Sequence, residues 1–224
     1  TEFVVDEPTT VKDEAQSKAA TRKEEGVNVF TATAVVKDQD GNEVGKVTDT
    51  VKMLIPALGN PFEDVAEDAY YYDAVLWAYD NGITQGKDDT HFLPNNICNR
   101  AQVVTFLWRA MGEPEPESTV NPFVDVAEDA YYYKAVLWAY YKGITTGKDE
   151  THFQPNATVT RSQVITFMYR NEGEPAVKTT ENPFVDVTED KYYYNAVLWA
   201  YENDITTGKD DTHFLPGDEC KRCQ

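Results

Sequence analysis

Cysteine is scarce, with only Cys98, Cys220 and Cys223 in 224 residues. These are too few and too clustered for a disulfide framework. Cys220 and Cys223 have a C-x-x-C spacing, but no second pair or nearby histidine completes a zinc site, so the thiols read as incidental. Bases are scarce as well: 20 Lys and Arg stand against 39 Asp and Glu, for a net charge of −19. Without a basic stripe to meet phosphates, nucleic acid is excluded as a partner. No apolar run approaches the ~18 residues of a membrane span, so no membrane insertion is expected. Initiating Met and signal peptide are lacking, and a leader is expected to have been removed or to lie outside this stretch. No Ser/His/Asp or Cys/His constellation is present either. His91, His152 and His213 are one repeated position before a Phe and read as loop hydrogen-bonders, and Asp88-Asp89 beside Lys87 reads as a solvated turn. No enzyme activity, metal or cofactor is therefore expected.

What the chain does have is unevenly placed. All 14 Tyr and all 4 Trp lie after residue 69. Asn60 to Val65 recurs as Asn121 to Val126 and Asn182 to Val187, a step of 61 residues both times. The Tyr triplets 70–72, 131–133 and 192–194 keep that register, as do AVLWAY at 74–79, 135–140 and 196–201. So do GITQGKDDTHFLP (82–94), GITTGKDETHFQP (143–155) and DITTGKDDTHFLP (204–216). Internal periodicity of this kind marks a tandem array. The repeats span 60–120, 121–181 and 182–224, after a different segment, 1–59. That first segment carries 11 acids and 7 bases, leaving 28 acids and 13 bases for the repeats.

Within a repeat, Tyr71 to Asn81 predicts a helix with an apolar stripe at Tyr71, Ala74, Val75 and Ala78, stopped by Gly82. Residues 83–97 predict a loop with Phe92 as its buried plug. A second helix is predicted from Arg100, with Thr160-Arg161-Ser162-Gln163 as a capping box and Asn99 to Gln102 as its variant. Its predicted buried face is Val103, Val104, Phe106, Leu107 and Ala110, and Gly112 ends it. Residues 113–120 and 174–181 read as Pro- and Glu-bearing linkers. The third copy ends at Gln224, in register with Gln102, so its second helix is missing and a trimmed or fragmentary chain is expected. Ala196, Val197, Ala200 and Ile205 are then expected to lack the apolar cover that a second helix supplies, with the tail after Pro216 frayed. In segment 1–59, Val27 to Val36 and Glu43 to Ile55 predict the strands of a hairpin. Asp38 to Asn42 reads as its turn and not a calcium loop, because the Gly and Glu positions of an EF-hand do not fit. Thr9 to Glu25 reads as polar linker.

Phe-x-Asp-Val, a helix with Ala-Val, Gly-Ile-Thr-x-Gly, Phe-x-Pro and a Thr-Arg-Ala-Glu-like helix start follow one another in each repeat. In that order and spacing they resemble the S-layer homology (SLH) module, over roughly three quarters of the chain. The resemblance implies a mainly α fold of helix–loop–helix units in a pseudo-threefold arrangement, after a small β module. It also implies a secreted protein held non-covalently at the cell surface, in the cell wall or S-layer of a Gram-positive-type envelope. The ligand implied is secondary cell-wall polysaccharide, often pyruvylated, in grooves between modules. Here Tyr70, Tyr131 and Tyr192 stand where many members have Trp, and Gln102, Gln163 and Gln224 replace the motif Glu. The third copy reads Lys221-Arg222-Cys223-Gln224, without the Thr cap.

Arg100, Arg161 and Arg222 sit in the first helical turn, where a cation opposes the macrodipole. A bound carboxylate would resolve that conflict; the alternative is a structural Arg paired to Asp64, Asp125 or Asp186. Ligand contact is thus expected of the three Arg, Gln102, Gln163, the three leading Tyr and these Asp. Trp77, Trp138 and Trp199 read as packing residues. The acidity of the repeats repels an anionic polymer at long range, so such binding has to be local and multivalent. The competing reading is an assembly module making protein–protein contacts in a surface layer.

Overall fold

A computed structural model describes residues 2–224. Two compact units divide between Pro61 and Phe62. The first holds four strands, β1 (Val4–Val5), β2 (Thr9–Lys12), β3 (Gly26–Lys37) and β4 (Glu43–Ile55). β3 pairs antiparallel with β4 along its whole length, Phe30 opposite Val51, and with β2 and β1 on its other edge, Thr33 opposite Thr9 and Lys37 opposite Val4. The predicted hairpin is present. Its turn is an Asx structure in which Asp38 Oδ1 accepts from the amides of Asp40 and Asn42.

The expected linker, Thr9 to Glu25, is instead part of this sheet. It supplies β2 and bridges Lys18 to Val27. Pairing needs only extended backbone, and Thr9-Thr10-Val11 is β-branched, so low hydrophobicity was no bar. Val29 is the buried hydrophobic side chain of this unit.

The second unit holds five helices: α1 (Tyr72–Asp80), α2 (Arg100–Ala110), α3 (Tyr133–Tyr141), α4 (Arg161–Asn171) and α5 (Tyr194–Glu202). Both capping boxes form, with the Asn99 and Thr160 side chains accepting from the amides of Gln102 and Gln163. Gly82 and Gly112 follow the C-caps of α1 and α2 at φ +71° and +80°. The expectation of a mainly α chain is not met: nine- and eleven-residue helices alternate with longer irregular loops, beside a four-stranded sheet. The loops persist because they are pinned. Phe92 is buried against Phe62 with ring centroids 5.7 Å apart. Gly86, at φ +81°, lies so close to Phe62 that a Cβ would sit 2.6 Å from its ring.

The buried faces also differ from expectation. In α1 it is Tyr72, Val75 and Leu76, with Ala74 exposed; in α2 it is Arg100, Ala101, Val104, Thr105 and Trp108. Val103, Phe106 and Leu107 are half-buried and Ala110 is exposed. The reason lies in the partner. Each second helix covers the first helix of the following repeat, α2 on α3 and α4 on α5. Val104 and Trp108 join Ala135, Trp138 and Ala139 in one core, while Ile165 and Tyr169 join Ala196, Trp199 and Ala200 in another.

Two expectations fail for the same reason. Ala196, Val197 and Ala200 are fully covered by α4, although Ile205 is exposed. The residues after Pro216 are tied in, with the amides of Arg222 and Cys223 bonding to Asn96 O and Pro94 O at 2.9 and 3.1 Å. The less covered helix is α1. Hydrogen exchange should therefore be slower by about ten-fold in α3 and α5 than in α1, because opening is easiest where apolar contacts are fewest. Equal protection of α1 and α5 would contradict this packing.

The three repeats close on one another. The amide of Cys98 bonds to Cys220 O at 2.8 Å, Cys220 to Val159 O at 2.9 Å, and Val159 to Cys98 O at 3.2 Å. Each link runs between different repeats, and the third returns to the first. The side chains of Cys98, Val159 and Cys220 bury together at this junction, so two of the three thiols are packing residues.

Candidate functional site

Around this junction each repeated arginine reaches into the loop of the next repeat. Nε of Arg100 donates to Phe153 O, that of Arg161 to Phe214 O, and that of Arg222 to Phe92 O, at 2.9, 2.9 and 2.8 Å. Each guanidinium also lies over the ring of that same Phe, 4.6–4.7 Å from its centroid. Arg100 is 5% exposed and lies 5.6 Å from the Phe167 ring as well. Burial lowers the pKa of Arg100 and Arg222, while Asp125 and Asp64 respectively pull it back up. No ion pair joins these Arg to Asp64, Asp125 or Asp186 among the described residues.

Those Asp hold the loops instead. The two oxygens of Asp64 accept from the amides of Phe92 and Leu93 at 2.8 and 2.7 Å. Asp125 does the same for Phe153 and Gln154, and Asp186 for Phe214 and Leu215. Leu93, Gln154 and Leu215 sit at φ +55° to +58°, a strained conformation for residues with a Cβ. Both lone-pair faces of each carboxylate are thus engaged by backbone, and the Asp lie outside the groove described next.

The groove in the first repeat encloses about 340 Å³. Thr84, Gln85 and Lys87 line it from the loop, and Gln102, Thr105, Phe106 and Arg109 from α2. Tyr131 enters from the second repeat and Arg222 from the third. One Arg, one Gln and one leading Tyr of the expected set therefore meet here, each from a different repeat. The other members follow the same step: Tyr192 is close enough to Arg100 to raise its pKa, and Arg161 lowers that of Tyr70. Tyr70, Tyr131 and Tyr192 are exposed, each edge-on to the next Tyr at 5.0 Å. Tyr70 is further bonded to Cys223 Sγ at 3.6 Å, and burial of its hydroxyl together with this contact pushes its pKa to about 12.

Lys87, Arg109 and Arg222 make the lining cationic, and no Asp or Glu is among the lining residues. Nη2 of Arg222 is buried and has no hydrogen-bond partner among the described residues. Lys87, Arg109, Thr84, Gln85 and Thr105 were missed from sequence. Their signal was there: Lys148 and Lys209 repeat Lys87, and Arg170 repeats Arg109, in a chain poor in bases. The His, as expected, work within loops: His91 Nδ1 pairs with Asp88 at 2.9 Å and lies 3.0 Å from the Thr90 hydroxyl. Among the described residues, no group of three or more His, Cys, Asp or Glu is placed to hold a metal ion.

A sequence model of the S-layer homology domain matches residues 61–104, 122–165 and 183–224. The surface-layer 125 kDa protein of Lysinibacillus sphaericus is 35% identical over 118 residues, 51% of this chain and 10% of that protein. A cell surface protein of Thermoanaerobacter kivui is 31% identical over 121 residues, 52% of this chain and 16% of its own length. An endoglucanase of Bacillus sp. (strain KSM-635) is 29% identical over 161 residues, 70% of this chain and 17% of the enzyme. The chain thus spans less than a fifth of each relative.

Proposed function

The chain belongs to the S-layer homology family, whose modules anchor proteins at the cell wall, and from that premise we propose that its grooves bind an anionic secondary cell-wall polysaccharide. The observation that carries this reading is a cationic, carboxylate-free groove with an unmatched Arg222 Nη2, in a chain of net charge −19. A ketal-pyruvate carboxylate suits it. Guanidinium and ammonium groups meet the charge, Gln102 and Thr105 can bond sugar hydroxyls, and the exposed face of Tyr131 offers stacking area. The long-range repulsion by the acidic surface fades within ~10 Å at ordinary ionic strength, which leaves the groove's own charges to decide affinity. Three related grooves on one unit raise retention by avidity. No catalytic step is assigned to this chain; a catalytic domain, if the whole protein has one, lies elsewhere.

The test is retention on cell-wall sacculi with and without their polysaccharide, and with the pyruvyl group removed. Lys87→Ala with Arg109→Ala should weaken binding at this groove about ten-fold or more, since one charge-assisted hydrogen bond is worth about 1.5–3 kcal/mol. Equal retention on polymer-stripped sacculi would instead favour protein–protein assembly in a surface layer.

A further inference from the structure

We propose that the second unit carries an acceptor site for an amphipathic helix: an open apolar hollow on α1 that takes a helix of the α2 and α4 pattern. This inference does not rest on the polysaccharide reading. The same packing occurs twice in filled form, and α1 presents a third, open copy. Trp77 is 60% exposed, whereas its repeat equivalents Trp138 and Trp199, under α2 and α4, are 5% and 8% exposed. Ala74 is exposed, whereas Ala135 and Ala196 are buried. Beside this face lies a hollow of about 330 Å³ whose walls include Trp77, Ile83, Phe106, Leu107, Phe167 and Met168.

The filled copies specify the occupant. In both, two residues four apart, Val104 and Trp108 or Ile165 and Tyr169, sit on an Ala-Trp-Ala surface; the open copy is Ala74, Trp77 and Ala78. The aromatic residue then ties off the far end, Trp108 Nε1 to Pro114 O at 2.8 Å and Tyr169 hydroxyl to Pro175 O at 3.0 Å. Direction is set at the hollow's mouth. Gln224 Oε1 accepts from the Lys221 amide at 2.9 Å, just as Gln102 and Gln163 accept from Asn99 and Thr160 where α2 and α4 start. The incoming helix therefore has its N-terminus beside Gln224 and runs along α1, a β-branched residue and then an aromatic one facing it.

A peptide with the sequence of residues 158–175 is the probe. It contains no Trp, and Trp77 is the exposed Trp of the chain, so emission and acrylamide quenching report on α1. The expected result is a saturable blue shift, at least a two-fold fall in quenching and a raised melting temperature. The peptide with Ile165→Asp and Tyr169→Asp should bind at least ten-fold more weakly. The Trp77→Glu chain should melt as the parent does and fail to bind labelled peptide. Appending the same 18 residues after Gln224 should protect Trp77 in cis even where the free peptide is too weak. Equal binding of the Asp peptide, full binding by Trp77→Glu, or an unprotected Trp77 in the appended chain would overturn the proposal. Burial of Trp77 by self-association without peptide would also overturn it, assigning the face to a second copy.

Discussion

Arg100→Ala should lower the stability of the repeat unit by about 2–3 kcal/mol, as removal of a charge-assisted hydrogen bond and a desolvated cation–π contact predicts. Its Nε–H is bonded to Phe153 O and its guanidinium lies over the Phe153 ring, with Phe167 nearby. Truncation leaves that carbonyl short of a donor and removes a link between the first and second repeats. Helix-dipole reasoning alone gives the opposite sign, a slight stabilisation on removing a cation from a helix start. The structural contact is the larger effect. Arg100→Lys should recover little, because a point charge cannot supply the Nε donor while stacking flat on a ring. Chemical denaturation checks this: a midpoint for Arg100→Ala indistinguishable from the parent would refute the stapling role. It also follows that loss of polysaccharide binding in this variant means nothing until its fold has been verified.

Asp125→Ala should be at least as damaging, by about 3 kcal/mol, since two amide donors lose a charged acceptor. One of them belongs to Gln154, held at φ +57°, where the backbone has little reason to stay once the carboxylate is gone. Asp125→Asn keeps one carbonyl acceptor and should recover about half of that loss. Amide exchange at Phe153 and Gln154, together with the melting temperature, measures both. Because Asp125 lies outside the groove, polysaccharide affinity of the folded fraction should change little. A folded, stable Asp125→Ala that no longer binds would return this residue to the ligand site.

Much of this was legible in the sequence because local rules govern it. Asn99 and Thr160 with their Gln partners declared the second helices, Gly82 and Gly112 their neighbours' ends, and the 61-residue step the family. What local reasoning assigned wrongly depends on which repeat faces which. A second helix was expected to cover its own repeat's first helix, so Ala196 was thought bare and Ala74 covered; the structure reverses both. The same blindness placed the Asp in the ligand set, for nothing in Phe-x-Asp-Val reveals that its carboxylate bridges to amides 28 and 29 residues on. The groove was half legible. Arg, Gln and Tyr were singled out, but their meeting from three repeats, and the company of Lys87 and Arg109, required the closed arrangement.

That closed arrangement sets the array apart from a linear solenoid. In a solenoid each unit contacts only its sequence neighbours, so terminal units need polar caps and unfolding frays inward from an end. Here the Arg222–Phe92 and Cys98–Cys220 bonds make the first and last repeats neighbours, and the order of the chain ceases to be the order of contacts. There is no end repeat to fray: releasing any one of the three breaks two of the three junctions and opens every groove it touches. Folding and ligand competence are therefore properties of the triplet, and a pair of repeats excised from it holds one junction and is not two thirds of an anchor.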